Sequence, residues 1–306
     1  MSSGNTPAEE VWTVLRLLTW TADYLKKHGS SSARLDAEIL LAYVLHCERV
    51  DLYVRFEQQP TPEERALFKD LIRERAAGKP VAYLVGKKEF YSLDFVVNEN
   101  VLIPRPETEF LVMGLMDLAK EKPEGLEGAY TVCDVGTGSG NIAIASALQL
   151  KNSRFTALDI SAAALEVTRQ NAEKYSQQLG DRLTIQQSDL LSAFYGVDPS
   201  PQFDFIVSNP PYVGQCELGA ELEENVYRYE PHVALFGGER GYELISQFLP
   251  QVPQFLKPDG HFLMELSPMI HDAVVAMFPN AGLQYLKTIR DLDQNARIVV
   301  AKNEPW

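Results

Sequence analysis

Residues Tyr130 to Gly140 read YTVCDVGTGSG, and NIAIASALQL follows. The apolar, β-branched start predicts a strand, and the segment after Gly140 predicts a helix. Glycines at such a junction let the backbone turn tightly and come close to a ligand, with the helix's first N–H groups nearby. Taken alone, the loop serves packing as readily as binding. The pattern recurs downstream. RFTALDI, LTIQQSD, FDFIVSN and HFLMEL are further strands. A helix capped at Ser161 ends near Gly180, and another runs from near Gly241 towards Pro258 with breaks at Pro250 and Pro253. LQYLKTI and ARIVVAK close the chain as a pair of strands, an antiparallel finish. Strand–helix alternation of this kind implies an α/β fold, a mostly parallel sheet of seven strands covered on both faces.

Upstream the pattern is helical. Trp12, Leu15, Leu18, Ala22 and Leu25 recur at helical spacing within Glu9 to Lys27, and Gly29 is a stop. Serines precede the apolar run that starts at Ala33. TPEERALFKDLIRERAAGKP opens with Thr61 as N-cap, Pro62 in the first turn and Glu64 three residues on, a capping box. EFYSLDFVVNENVLIPRPETE surrounds Asn98 and Asn100 with aromatic and β-branched residues, as a hairpin or extended linker would. These shifts divide the chain into a helical domain over 1–85, a hairpin linker over 86–103 and the α/β domain over 104–306.

The ends of the strands carry the chemistry. Gly136, Thr137, Gly138, Ser139 and Gly140 form the first loop. Asp159 ends the second strand, where a carboxylate accepts from ribose hydroxyls in nucleotide-binding sheets; it could equally cap the helix entered at Ser161. Asp189, with Leu190 beside it, ends the third strand, placed to accept from an adenine amino group or to serve as a turn residue. Asn209 follows the fourth. Open α/β sheets bind ligands at this edge, and four bland explanations would have to hold together to dismiss it. The glycine spacing is not the full G-x-G-x-x-G of a dinucleotide site and lacks the G-K-[ST] of a P-loop. An adenosyl group without a phosphate chain fits better, and S-adenosyl-L-methionine is the candidate.

Asn209-Pro210-Pro211-Tyr212 is rigid, because two prolines fix two φ angles and remove two donors. The Asn209 side-chain oxygen and the Pro210 carbonyl offer two acceptors, which suit a planar NH₂ group, with Tyr212 to stack on it and Pro211 completing the pocket. Such a nitrogen is a poor nucleophile, so orientation and acceptors that strengthen as charge develops would lower the barrier.

Composition sets the bounds. The chain has 306 residues, 45% hydrophobic and 23% charged, with a formal net charge of −14. That field opposes direct binding to nucleic acid. No apolar run is long enough to span a membrane and no secretory leader is evident, so a cytoplasmic location is expected; a monomer is expected as well. Cys47, Cys133 and Cys216 are too few and too scattered for a disulfide framework or a zinc cluster. The five histidines show no ligand spacing.

Several stretches together resemble the release factor glutamine methyltransferases (the PrmC/HemK family) of the class I, Rossmann-like methyltransferases. They are GKPVAYLVGKKEFYSLDFVV, LIPRPETE, DVGTGSGNIAIA, SNPPYV, YEPHVALFGGERG and IRDLDQNARIVVA, spread over nearly the whole chain. NPPY is shared with adenine-N6 DNA methyltransferases, whereas IPRPETE in this position is far more specific. The resemblance implies methyl transfer from S-adenosyl-L-methionine to the side-chain amide nitrogen of the glutamine in the Gly-Gly-Gln motif of peptide chain release factors. By motif it places Gly136 to Gly140 at the methionine and ribose of the cofactor and Asp159 at the ribose. Asp189 and Leu190 fall at the adenine. Asn209 faces both cofactor and substrate, with Pro210, Pro211 and Tyr212 around the substrate amide. The helical domain would help to bind the release factor. Three other readings stay open: a glutamine methyltransferase of a large-subunit ribosomal protein, a DNA adenine methyltransferase, and a non-catalytic scaffold. Arg105, Glu107 and Glu109 have no assigned role. After the fifth strand the family often reads Glu-x-Gly-x-x-Gln, where this chain has ELSPMI with Ser267 and Ile270 in place of the glycine and glutamine.

Overall fold

The computed structural model describes residues 11–215 and 224–303, and the chain divides into two units after Gly86. The first unit is helical: α1 (Val14–Lys27), α2 (Ala33–Val44), α3 (Asp51–Val54), α4 (Pro62–Ala76) and α5 (Val81–Val85). Thr13 caps α1 by accepting from the Arg16 N–H. Both bonds of the expected capping box are present at α4, Glu64 N–H to Thr61 Oγ1 at 3.2 Å and Thr61 N–H to Glu64 Oε2 at 2.7 Å. The serines before α2 act differently from simple caps. Ser30 and Ser32 donate their hydroxyl protons to Asp36, which Arg75 also grips at 2.7 Å. The buried stripe of α1 is Val14, Leu17, Leu18, Thr21 and Leu25, so Leu15 faces outward instead. Val14, Leu17, Leu18 and Leu25 meet Leu40, Leu41 and Phe68 in a core of their own.

The second unit opens with the hairpin β1 (Lys87–Phe90) and β2 (Leu93–Val96). Its turn is Tyr91 and Ser92, both at positive φ, and not the asparagines at 98 and 100. The Tyr91 N–H is held by Glu109 Oε1 at 2.8 Å, which gives Glu109 a role. Asn171, fully buried, accepts from the Val96 N–H and donates to the carbonyls of Val96 and Ser139.

Helix α6 (Glu109–Glu121) then leads into the main sheet. Its strands are β3 (Thr131–Val135), β4 (Arg154–Asp159), β5 (Leu183–Gln187), β6 (Phe203–Ser208), β9 (Leu256–Glu265), β10 (Leu283–Arg290) and β11 (Ala296–Asn303). The short strands β7 (Val213–Gly214) and β8 (Phe236–Gly238) pair separately. The seven-stranded order is β10-β11-β9-β6-β3-β4-β5, and β11 runs antiparallel to both its neighbours while the rest are parallel. This is the expected α/β architecture with its antiparallel finish. Helices α7 (Asn141–Gln149) and α8 (Ala162–Lys174) follow β3 and β4.

Neighbouring strand residues point to opposite faces. Phe205, Leu263 and Val300 meet Leu111, Leu115 and Ile142 in one layer. Ile206, Phe262 and Val299 meet Phe248, Val252 and Phe278 in the other. Burial of each such side chain stabilises by roughly 1.5–3 kcal/mol, so both layers fix the sheet that carries the site. The helix expected to run towards Pro258 ends at Phe255, because Leu256 already pairs with Phe203 as the start of β9. No described helix is long and apolar enough to cross a membrane.

Candidate active site

The loops after β3, β4, β5 and β6 converge on a cavity of about 410 Å³. Gly136, Thr137, Gly138 and Ser139 line it from the first loop, Asp159 from the second, Asp189 and Leu190 from the third, and Asn209, Pro210 and Pro211 from the fourth. Gly136, Gly138 and Gly140 all have positive φ. The N–H groups of Gly136 and Thr137 both donate to the Leu158 carbonyl at 2.8 Å, so the loop folds back over β4. A Cβ on Gly138 would meet no atom within 4 Å, whereas one on Gly140 would press on Thr168 Cγ2 at 2.8 Å. Gly138 therefore opens towards the cavity. Gly140 does not line it and is instead the packing residue of the loop.

Asp159 combines its two sequence readings. Its Oδ1 accepts from the Ser161 N–H at 2.9 Å and its Oδ2 from the Gly138 N–H at 2.9 Å. It thus links the start of α8 to the glycine loop while facing the cavity. Burial raises its pKa, partly offset by those N–H donors. Asp134, wholly buried beneath the loop, accepts from the Thr137 hydroxyl at 2.6 Å and from the Ala143 N–H at 3.2 Å. Its Oδ1 has no partner, and burial pushes its pKa up to about 7. Asp189 is exposed and Leu190 half-buried at the cavity wall.

Asn209 follows β6 directly. Its Nδ2 donates to Thr108 Oγ1 at 3.1 Å, which leaves Oδ1 as the acceptor not spent within the protein. Pro210 is buried. Tyr212 departs from expectation: it is not among the lining residues, packs against the second core layer and donates its hydroxyl to Glu265 Oε1 at 3.2 Å. Its burial, with Glu265 alongside, raises the phenol's pKa. A side chain held that way supports the loop from behind.

Thr108, Glu265 and the loop Phe236–Gly241 fall in motif stretches to which the sequence assigns no role in the site. A Cβ on Gly237 would collide with the Pro211 carbonyl oxygen, so the two loops lie backbone to backbone. Arg105 lines the cavity and pairs with Glu230, which is buried and also accepts from the Ile103 N–H at 3.1 Å. At Ser267 the φ of −69° needs no glycine, and its hydroxyl accepts from the Met269 N–H, while Ile270 joins the core. The departure after β9 is absorbed locally. Cys216 lies outside the described residues.

The PrmC N-terminal domain model matches residues 16–86, and the methyltransferase small domain model matches 115–233. A release factor glutamine methyltransferase of Rhodopirellula baltica is 45% identical over 299 residues, covering 97% of each chain. The chain belongs to the release factor glutamine methyltransferase family. The Bacillus subtilis member is 34% identical, over 95% of this chain and 99% of its own. In fold, a methyltransferase crystal structure from Pyrococcus furiosus is alike with a TM-score of 0.50 at 17% identity. It covers 78% of this chain and 98% of its own.

Proposed function

We propose that this chain methylates the side-chain amide nitrogen of the glutamine in the Gly-Gly-Gln motif of peptide chain release factors, using S-adenosyl-L-methionine. The observation that carries this reading is the Asn209 carboxamide, turned by Thr108 so that Oδ1 is left to accept, in a chain of this family.

The lining supports the cofactor. It holds Asp159, Asp189 and Glu243 against one cation, Arg105, which Glu230 already neutralises. Acidic walls suit a cationic sulfonium and ammonium and oppose a phosphate chain. Gly136 to Ser139, with Asp159, would hold the methionine and ribose, and Asp189 with Leu190 the adenine. The bound cofactor supplies an electrophilic methyl group.

The protein's own work is to hold the nucleophile. An amide nitrogen has a delocalised lone pair, so its plane must be fixed and its N–H groups accepted. Asn209 Oδ1 and the Pro210 carbonyl are the acceptors for the two hydrogens, and they gain strength as positive charge develops on the nitrogen. Pro211 stiffens the loop and Tyr212 braces it from behind. The helical unit, residues 1–86, is the part we assign to gripping the release factor.

The test combines the purified full chain, S-adenosyl-L-methionine and a recombinant release factor, read by peptide mass spectrometry. A gain of one methyl on the Gly-Gly-Gln glutamine is expected, falling about 100- to 1000-fold in Asn209→Ala. An unmodified glutamine, with cofactor binding intact by calorimetry, would overturn the substrate and leave the fold untouched.

A further inference from the structure

Helices α1 and α4 leave between them a groove of about 640 Å³, wholly within the helical unit. Leu17, Phe68 and Ile72, all buried, give it an apolar floor. Trp12, Trp20 and Tyr24 line it as well. Trp20 stacks on Tyr24 with ring centroids 5.1 Å apart and meets Trp12 edge-on at 6.3 Å, so the three rings brace one another. Trp20 is nevertheless 48% exposed. So large an apolar face left in water, beside an apolar floor and rimmed by charge, is the pattern of an interaction site.

The charge is all of one sign. Arg65, Lys69 and Arg73 line the groove from α4, spaced by four so that the helix carries them on one face. Among the described residues no acidic side chain lines it, in a chain whose net charge is −14. Arg73 reaches Asp70 at 3.4 Å with both side chains well exposed, a weak pair. Arg65 and Lys69 make no ion pair among the described residues. Two polar groups at the groove are also incomplete. The hydroxyl of Thr19 donates to the Leu15 carbonyl at 2.9 Å, whereas that of Thr21, fully buried, has no partner. Arg65 Nε has none either. Both groups carry a proton and want an acceptor.

We propose that this groove docks an acidic segment of the protein substrate that carries a bulky apolar side chain. The proposal rests on the reading that the substrate is a release factor, and it names the face of the helical unit that grips it. The apolar side chain enters between the rings and the floor. Carboxylates flanking it answer the three cations and bring the acceptors that Thr21 and Arg65 lack. Trp, Tyr and Arg, the residues that carry most of the energy at protein interfaces, are the ones gathered here. A nucleic acid strand would satisfy the cations but has no aliphatic side chain to set on the floor.

The closing experiment has two arms and uses the full chain with a recombinant release factor. In the first, kcat and KM are measured for wild type, for Trp20→Ala and for the double variant Lys69→Glu with Arg73→Glu. Lys151→Glu, at an exposed lysine outside the groove, is the charge control. Trp20→Ala and the double variant should raise KM about tenfold or more, with kcat within about twofold of wild type. Added salt should shrink the gap between wild type and the double variant and leave that for Trp20→Ala in place. A Gly-Gly-Gln peptide that lacks the rest of the release factor should not distinguish the variants. In the second arm, the chain carries fluorotryptophan and no cofactor is present. The Trp20 ¹⁹F resonance, identified by its absence in Trp20→Ala, should shift when unlabelled release factor is added. Wild-type KM in the groove variants, or a Trp20 resonance that stays in place while the release factor is a substrate, overturns the proposal. So does a resonance that shifts, with no release factor present, on deletion of residues 1–10 or on dilution, since the groove then holds the chain's own start or a second copy. If no methyl is transferred, the substrate reading fails and Trp20 decides the rest. A shift keeps the release factor in the groove, and no shift overturns both.

Discussion

Gly241 lies against Tyr212 so closely that a Cβ on the glycine would collide with the Tyr212 carbonyl oxygen. Its φ of +87° disfavours any other residue as well. The pairing of Val213 with Phe236 holds the same two segments together. Gly241→Ala must therefore push the Asn209–Tyr212 segment aside. We expect it to cost about 1–3 kcal/mol in urea unfolding and to lower methyl transfer by about tenfold or more. Unaltered activity would mean that the loop tolerates movement and that its rigidity is not what the site uses.

Glu230 is a buried carboxylate that satisfies the Arg105 guanidinium and the Ile103 N–H. Glu230→Ala leaves both without that acceptor and opens a void. The expected loss is about 2–4 kcal/mol, read from denaturant midpoints. Glu230→Gln, of the same shape, should recover part of it through the Ile103 bond. Equal losses in the two variants would assign the whole effect to the charge.

Asp159→Ala removes the acceptor for the Gly138 and Ser161 N–H groups together. Calorimetry should show S-adenosyl-L-methionine binding weakened by about tenfold or more, and stability falling by about 1–2 kcal/mol. A stability loss with unchanged affinity would reduce Asp159 to a cap.

Asp134 should make stability depend on pH. Burial raises its folded pKa from 3.8 to about 7. Between those values the folded chain binds more protons than the unfolded one, so stability falls as pH rises and levels off above about 7. Asp134→Asn lacks this penalty. The variant should be more stable than wild type at pH 8, by up to roughly 4 kcal/mol, and the gap should close towards pH 4. A gap that stays constant between those pH values would show that Asp134 ionises normally in the folded protein.

Sequence reading reaches some of these residues and not others for a physical reason. Asp159 ends a strand of the parallel sheet and Asp189 and Asn209 come just after one, and that position alone sends them to the ligand edge. Local order is enough. Thr108 is 101 residues before Asn209, and its contribution is a single hydrogen bond that exists only once the sheet has formed. Glu265 reads as the end of a strand, with nothing local to show that a tyrosine four residues into another loop will donate to it. Gly237 and Gly241 look like ordinary turn glycines until the facing carbonyls are in place. Tyr212 is the converse case. An aromatic beside a flat-group site suggests stacking, but its hydroxyl reaches a buried carboxylate and the residue is not among those lining the cavity. In α1, Leu15 fits a helical stripe on paper, yet the stripe that meets α2 and α4 is rotated towards Val14 and Leu17.

The buried carboxamide of Asn171 makes the hairpin and the glycine loop a single mechanical part, since it bonds to both strands of information at once: the backbone of Val96 and the carbonyl of Ser139. Modularity is limited accordingly. A shortened catalytic piece that starts at Pro104 would strip Phe90 and Phe95 from the core layer beneath α6 and α7 and leave that carboxamide reaching into water. Any transplant of this methyl-transfer unit onto another domain should be joined before Lys87, where the hairpin travels with the loop it holds.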